Sequence, residues 1–353
     1  MMKKKFWMGF AAVLLTVAMA LSFAGCGSSD AGDVDAKKII NSLIENQSAT
    51  DTSMTMNLHY GMRSPLMGDA SQASVEMDLT VDMAYKQDPM QGHMLLKGDV
   101  TAAGEKQKMQ VEMYLVPDGK DHVAYLYSSD DSKWIKQPIS EKEMAEVKGN
   151  MAEYLQSAMS SEALQQSQEL RKKLLEKADF QADGRERVGS VNAAVLKSDL
   201  SVRDILEVLQ DANVEGVEDL FSLLYEGQQL SMDIFDESLD LRLYVDDNEM
   251  RIVKISIDAK EAIQKIVSRA IAEMMAAYGA SSDVSSMDTS SLISIDAADI
   301  SIVVTGYGDA VAEIEVPKSV KDSAVEVTAD GESDGDEAAV LGSLFPTNEN
   351  KAV

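Results

Sequence analysis

The stretch VEMDLTVDMAYK, Val75–Lys86, alternates almost without interruption. Val75, Met77, Leu79, Val81, Met83 and Tyr85 are apolar. Glu76, Asp78, Thr80, Asp82 and Lys86 between them are polar, and Ala84 is small. A period of two predicts a β-strand with one dry face and one wet face. The dry face uses methionine where strands usually take valine or isoleucine. The choice is general, because the chain holds 22 Met among 353 residues and few aromatics.

Neighbouring stretches repeat the pattern. Met54, Met56, Leu58, Tyr60 and Met62 alternate with Thr55, Asn57, His59 and Gly61, and Met109, Val111, Met113 and Leu115 form a similar run. GHMLLKGDV between them reads as a weaker strand. A Pro-Asp-Gly turn at Pro117–Gly119 precedes HVAYLYSSDDSKWIKQP, which reads as a hairpin around Ser128–Ser132 and brings in Tyr125, Tyr127 and Trp134. Later, RVGSVNAAVLKSDLS, the hairpin LDLRLYVDDNEMRIVKISID and ADISIVVTGYGDAVAEIEVP predict further strands. Pro317 is expected to stop the last one.

Helices punctuate the strands. AKKIINSLIENQ places Ile39, Ile40, Leu43 and Ile44 on one stripe behind a capping aspartate, Asp33 or Asp35. Ser140 with Glu143 forms a capping box that opens a helical stretch of about 140–180. Ser201 with Asp204 marks another start, with Leu200 and Ile205 placed as a hydrophobic staple, and a second helical piece follows around 220–225. KEAIQKIVSRAIAEMMAAYG is a helix ended by Gly279. Strands outnumber helices and mostly follow one another, so the fold class is α+β with a large antiparallel sheet.

The first residues address the chain. Lys3, Lys4 and Lys5 precede an apolar run from Phe6 to Leu21, and small residues follow, which is the pattern of a secretory signal over residues 1–25. Ala24 and Gly25 before Cys26 resemble a bacterial lipobox, with Phe23 where leucine is usual. Cys26 is the only cysteine, so it has no internal disulfide partner. As the diacylated first residue of a mature lipoprotein it would carry palmitate-type chains, and two such chains suffice for stable membrane anchoring. Residues 26–34 then form the lipidated start and a polar tether. These features predict an extracytoplasmic chain held at the outer face of the cell membrane.

From Cys26 onward the chain carries a formal charge of about −31, which repels nucleic acid and anionic headgroups. The tail from 328 to 353 is acidic and rich in small residues, a composition that favours disorder. Asp330, Glu332, Asp334 and Gly335 imitate a calcium loop, but Leu341 stands where its closing glutamate belongs.

The lipobox, the passage KKIINSLIENQSATDTSMTMNL, the hairpin LRLYVDDNEMRIVKISID and the closing AEIEVP are similar to lipoproteins of uncharacterised function in Gram-positive bacteria. These resemble relatives of the LolA and LppX lipoprotein-carrier superfamily. The resemblance implies a half-open antiparallel barrel wrapped around helices over residues 35–327, with an apolar cavity that holds acyl chains. The stretch of about 140–180 is then a helical insertion.

No catalytic or nucleotide-binding motif occurs, and three scattered His offer little for nucleophilic or zinc chemistry, so a non-enzyme without a cofactor is expected. Met54 and Met56 would place two soft sulfurs on one face, but His59 is on the other, which disfavours a copper site, and no metal is expected. The candidates for a ligand cavity are Met54, Met56, Leu58 and Tyr60, then Met77, Leu79, Val81 and Met83, then Met109, Val111 and Met113, and finally Tyr125, Tyr127 and Trp134. Methionine is unbranched and adaptable, so it suits a surface that repacks around varied partners. A plain sheet core uses the same residues. Two functions therefore stay open: a carrier of a lipid or apolar small molecule, and a structural or interaction protein of the envelope. Protein partners are not readable.

The lipobox has a direct consequence. Cys26→Ser removes the thiol that receives the acyl chains. Metabolic labelling with a fatty-acid analogue is expected to mark the wild type and leave the variant unlabelled and without stable membrane attachment.

Overall fold

The computed structural model of the chain describes residues 34–45, 51–64, 74–102, 104–129, 132–139, 161–211, 232–277 and 292–327. The signal segment, Cys26, the tether, residues 140–160, the helical piece expected around 220–225, Gly279 and the acidic tail lie outside them.

Among the described residues, twelve strands form one sheet. The first six are β1 (Thr52–Arg63), β2 (Ser74–Gln87), β3 (Met90–Ala102), β4 (Glu105–Asp118), β5 (Asp121–Ser128) and β6 (Lys133–Ile139). They run as a meander, each pairing antiparallel with the next. The second group is β7 (Gln181–Val188), β8 (Val191–Ser198), β9 (Asp240–Asp246), β10 (Arg251–Asp258) and β11 (Ser294–Tyr307), again antiparallel in chain order. β11 then pairs with β1 and fuses the two meanders. The sheet stays open, with β7 at one edge and the two-residue β12 (Val325–Glu326) at the other. It is the large antiparallel sheet that the alternation predicts, and the half-open barrel around helices that the resemblance implies.

Four helices share one apolar cluster with the inner face of the sheet: α1 (Ala36–Glu45), α2 (Ser161–Lys177), α3 (Val202–Asp211) and α4 (Lys260–Ala277). Each begins or docks through a readable device. The Lys38 backbone N–H donates to the Asp35 carboxylate at 3.0 Å, so Asp35 caps α1. The Asp204 N–H donates to Ser201 Oγ at 3.0 Å, and the Ser201 N–H donates to Asp204 Oδ2 at 3.2 Å, which closes the capping box of α3. Leu200 and Ile205 are both buried, as a staple requires. Lys177 at the end of α2 reaches Asp204 at 3.2 Å and Glu207 at 3.0 Å on α3. Gln264 fastens α4 to the sheet: it accepts from the Ile295 N–H at 2.7 Å and donates to the Ile293 carbonyl at 3.0 Å. Ile263, Ile266, Val267, Ala270 and Ile271 then face the core at helical spacing.

Three details differ from the sequence reading. β7 starts at Gln181, ahead of the expected Arg187, and is exposed through Arg187, so it shows no apolar alternation. The last long strand ends at Tyr307, not at Pro317. Residues 313–316 do alternate in burial, but Val311, Ile314 and Val316 are buried outside any strand. Ile314 and Val316 lie on the outer face of the sheet against Tyr114, Val123 and Tyr125. Helix α5 (Lys318–Ser323) follows Pro317, Val320 joins the same cluster, and β12 pairs parallel with β6. The alternation thus reported contact with a dry surface, not a place in the hydrogen-bonded ladder.

This C-terminal strap generates a paired prediction. A chain ending after Val327 keeps every packed residue of the strap, and its stability is expected to stay within the ~0.5 kcal/mol typical of surface changes. A chain ending after Ala310 loses Ile314, Val316 and Val320, each worth ~1.5–3 kcal/mol when fully buried. Thermal unfolding of the two truncations should separate them clearly.

Candidate functional site

Directly paired residues of antiparallel strands point to the same face. Following the register across the sheet gives an inner row Leu196, Leu243, Ile255, Ile302, Met56, Val81, Leu96 and Val111, on β8, β9, β10, β11, β1, β2, β3 and β4. Its exposure rises in one direction. Leu196, Leu243 and Ile302 are 0% exposed, Met56 3% and Val81 7%, while Leu96 and Val111 are half-buried. Helix residues share the apolar cluster of the β8–β11 half of the inner face, and along this row, among the described residues, exposure rises toward β4.

The loosened half is where the methionines are. Met54 pairs with Met83, Met83 with Met94, and Met94 with Met113. Four methionines on adjacent strands therefore stand in one row, and Leu126 on β5 continues it. Met54 is 3% exposed and Met113 7%, whereas Met83 and Met94 are half-buried. Leu58 opposite Leu79 and Tyr60 opposite Met77 form two further rows, and all four residues are half-buried. Burial pushes the Tyr60 hydroxyl well above the ordinary phenol range, so it stays neutral. In the Leu79 row β3 contributes Gly98, and Met109 follows on β4. A Cβ at Gly98 would overlap the Asp78 carbonyl oxygen and the Leu79 side chain, so this position admits only glycine without a shift.

The structure thus brings together Met54, Met56, Leu58, Tyr60, Met77, Leu79, Val81, Met83, Met109, Val111 and Met113 on one face. It separates the three aromatics from them. Tyr125, Tyr127 and Trp134 lie on the outer face, because their register partners are Tyr114, Glu112 and Tyr127 rather than the methionines. Tyr125 and Trp134 pack with the C-terminal strap. The Tyr127 and Trp134 rings meet at 5.4 Å, and the Tyr114 ring stacks on His93 at 4.3 Å. These three residues are corrected from cavity lining to outer-face packing. Both faces of β5 are apolar, so alternation alone did not say which one faces inward.

Sequence reading also missed Arg171. It is 0% exposed, beside the apolar cluster residues Leu170, Leu174 and Leu175 of α2. Nothing in its polar surroundings, ELRKKLL, separates it from its charged neighbours on the helix surface.

Residues 35–195 match the model of a family of unknown function (DUF6612). No curated protein matches the chain significantly. Among solved structures the chain is similar to LprF from Mycobacterium bovis, with 12% identity and a TM-score of 0.34 over 83% of this chain and 99% of that one. It is also similar to the lipoprotein LppX from Mycobacterium tuberculosis, with 12% identity and a TM-score of 0.29 over 80% of this chain and 100% of that one.

The exposure gradient predicts a gradient of mutational cost. Ile302→Ala and Met56→Ala are expected to lose about 2–5 kcal/mol, as truncations in packed cores do. Met77→Ala and Met83→Ala, on the loosened side, are expected to cost ~1 kcal/mol. Urea unfolding of the four variants measures the difference.

Proposed function

We propose that this protein is an extracytoplasmic lipoprotein, anchored to the membrane through Cys26, whose half-barrel holds a lipid or another apolar ligand against the methionine-bearing side of its inner face. The observation that carries this reading is the exposure gradient along a single apolar row. A scaffold sheet gains nothing from half-buried Leu96, Met83 and Met94 beside a half that is packed to zero exposure. A carrier needs such a division, because one half must hold the fold while the other accepts a guest. Methionine fits the second task. Its flexible thioether chain fills irregular space and repacks at low cost. No catalytic role is assigned to any residue. The membrane, through Cys26, and the apolar ligand are the partners of this reading.

Native mass spectrometry of detergent-extracted protein, together with titration of a fluorescent fatty-acid probe, tests it. The expected result is co-purified lipid or saturable probe binding by the wild type. Met83→Asp should abolish uptake while the fold persists, since an unpaired carboxylate resists burial against an apolar chain. An empty protein that binds no probe would instead support the envelope scaffold.

A further inference from the structure

Among the described residues, no other charged side chain reaches the 0% exposure of Arg171. Its neighbours along α2, Leu170, Leu174 and Leu175, belong to the same apolar cluster as Met54 and Met56. One guanidinium nitrogen, Nη2, donates to the Leu43 carbonyl at 3.2 Å, near the end of α1. Nε and Nη1 are enclosed and have no hydrogen-bond partner among the described residues. No described carboxylate pairs with it, and the ionisable neighbour that bears on it is Tyr307. Burial pulls the guanidinium down to about 10, still charged at neutral pH.

An uncompensated buried charge costs several kcal/mol, and each idle buried donor adds to that cost. Capping the end of α1 does not require it. A surface lysine bonds a terminal helix carbonyl with its ammonium in water. Arg171 leaves its Nε and Nη1 hydrogens unused on opposite edges of the guanidinium, and charged donors of this kind are matched by the oxygens of a carboxylate or phosphate. Its position relative to the methionines is also ordered. Tyr307 pairs with Thr52 at the start of β1, and Met54 is the next inner residue along that strand. From Met54 the methionine row runs across three strand spacings to Met113, about 14 Å.

We propose that Arg171 is the anion anchor of the ligand site: it receives the carboxylate or phosphate head of an acidic amphiphile whose hydrocarbon chain lies along the Met54–Met113 row. This rests on the ligand-binding reading above and narrows it from any apolar molecule to an anionic one. Because the guanidinium has no exposure, the head group reaches it when α1 or α2 shifts.

The test compares cis-parinaric acid with its methyl ester by fluorescence, on the wild type, Arg171→Met and Arg171→Lys. The wild type is expected to bind the acid at least ~10-fold tighter than the ester, the worth of one charge-assisted pair. Arg171→Met should erase that ratio and leave ester affinity intact, and Arg171→Lys should restore part of it. Octadecyl phosphate should displace the acid, showing that either anion serves as the head, whereas inorganic phosphate should not. Displacement by inorganic phosphate alone would overturn the proposal in favour of a small-anion site. Equal binding of acid and ester by the wild type would overturn the anchor and leave the ligand-binding reading standing. Binding of neither probe removes both. A purely structural Arg171 predicts that Arg171→Met lowers the melting temperature with an unchanged acid-to-ester ratio. Should that variant fail to fold, the wild-type ratio still decides.

Discussion

The pairing of β1 with β11 holds this molecule together. Every other long-strand contact in the sheet joins neighbours in the chain, so two meanders would form separately without it. The seam runs from Thr52 opposite Tyr307 to Arg63 opposite Ser294, with irregularities at Ser53/Met54 and Gly61/Met62. It is closed at one end by a two-pronged ion pair in which Arg63 donates to both carboxylate oxygens of Asp296 at 2.6 Å. Arg63 holds the Asp296 carboxyl below the usual carboxylate range. At the other end the buried Tyr307 hydroxyl donates to the Ile252 carbonyl at 2.6 Å, which ties the seam to β10. Partners so distant in sequence must meet before the seam rewards their closure, so the seam carries the largest loop-closure cost of the sheet's long pairings.

The seam also explains the division of the inner face. β1 stands at the centre of the sheet, with isoleucine and leucine strands on its β11 side and methionine strands on its β2 side. On the first side α3 and α4 dock through a capping box, a staple and the Gln264 clamp, and branched side chains lock into fixed rotamers. On the second side the rows carry more methionine, and Met83, Met94, Leu96 and Val111 are half-buried. The tightly packed and the half-buried residues are thus divided between the two flanks of one strand. The outer face behind the methionine strands is sealed independently by the strap of Ile314, Val316 and Val320. The Lys86–Glu313 ion pair at 2.8 Å and the Gln91–Glu313 hydrogen bond at 3.2 Å secure it. Stability behind the methionines therefore does not require a full inner face.

Much of this was legible in the residues, and the failures have physical reasons. Strict alternation at Val75–Lys86 identified a strand and its dry residues, because a strand with one wet face must separate its side chains by parity. The helices announced themselves through Asp35 and Ser201, which satisfy backbone groups that a helix start leaves open. β7 was read late because its edge position exposes almost every side chain, and Gln181 to Arg187 carry no apolar signal. Residues 313–316 imitate a strand because packing an extended segment on a sheet produces the same parity as pairing with it. Tyr125, Tyr127 and Trp134 were placed inside because β5 is apolar on both faces, and only register with Tyr114 and Glu112 shows their side. Arg171 was invisible, since burial of one cation in a polar helix depends on what packs over it.

The central claim is that the methionine side of the inner face accepts a guest while the isoleucine side holds the fold. Methyl NMR of protein labelled at both methionine and isoleucine methyls tests it directly, recorded with and without a long-chain fatty acid. The account predicts that the signals of Met83, Met94 and Met113 shift on addition of the acid, while those of Ile255, Ile257 and Ile302 stay in place. Unmoved methionine signals, or shifts spread equally over both sets, would contradict it.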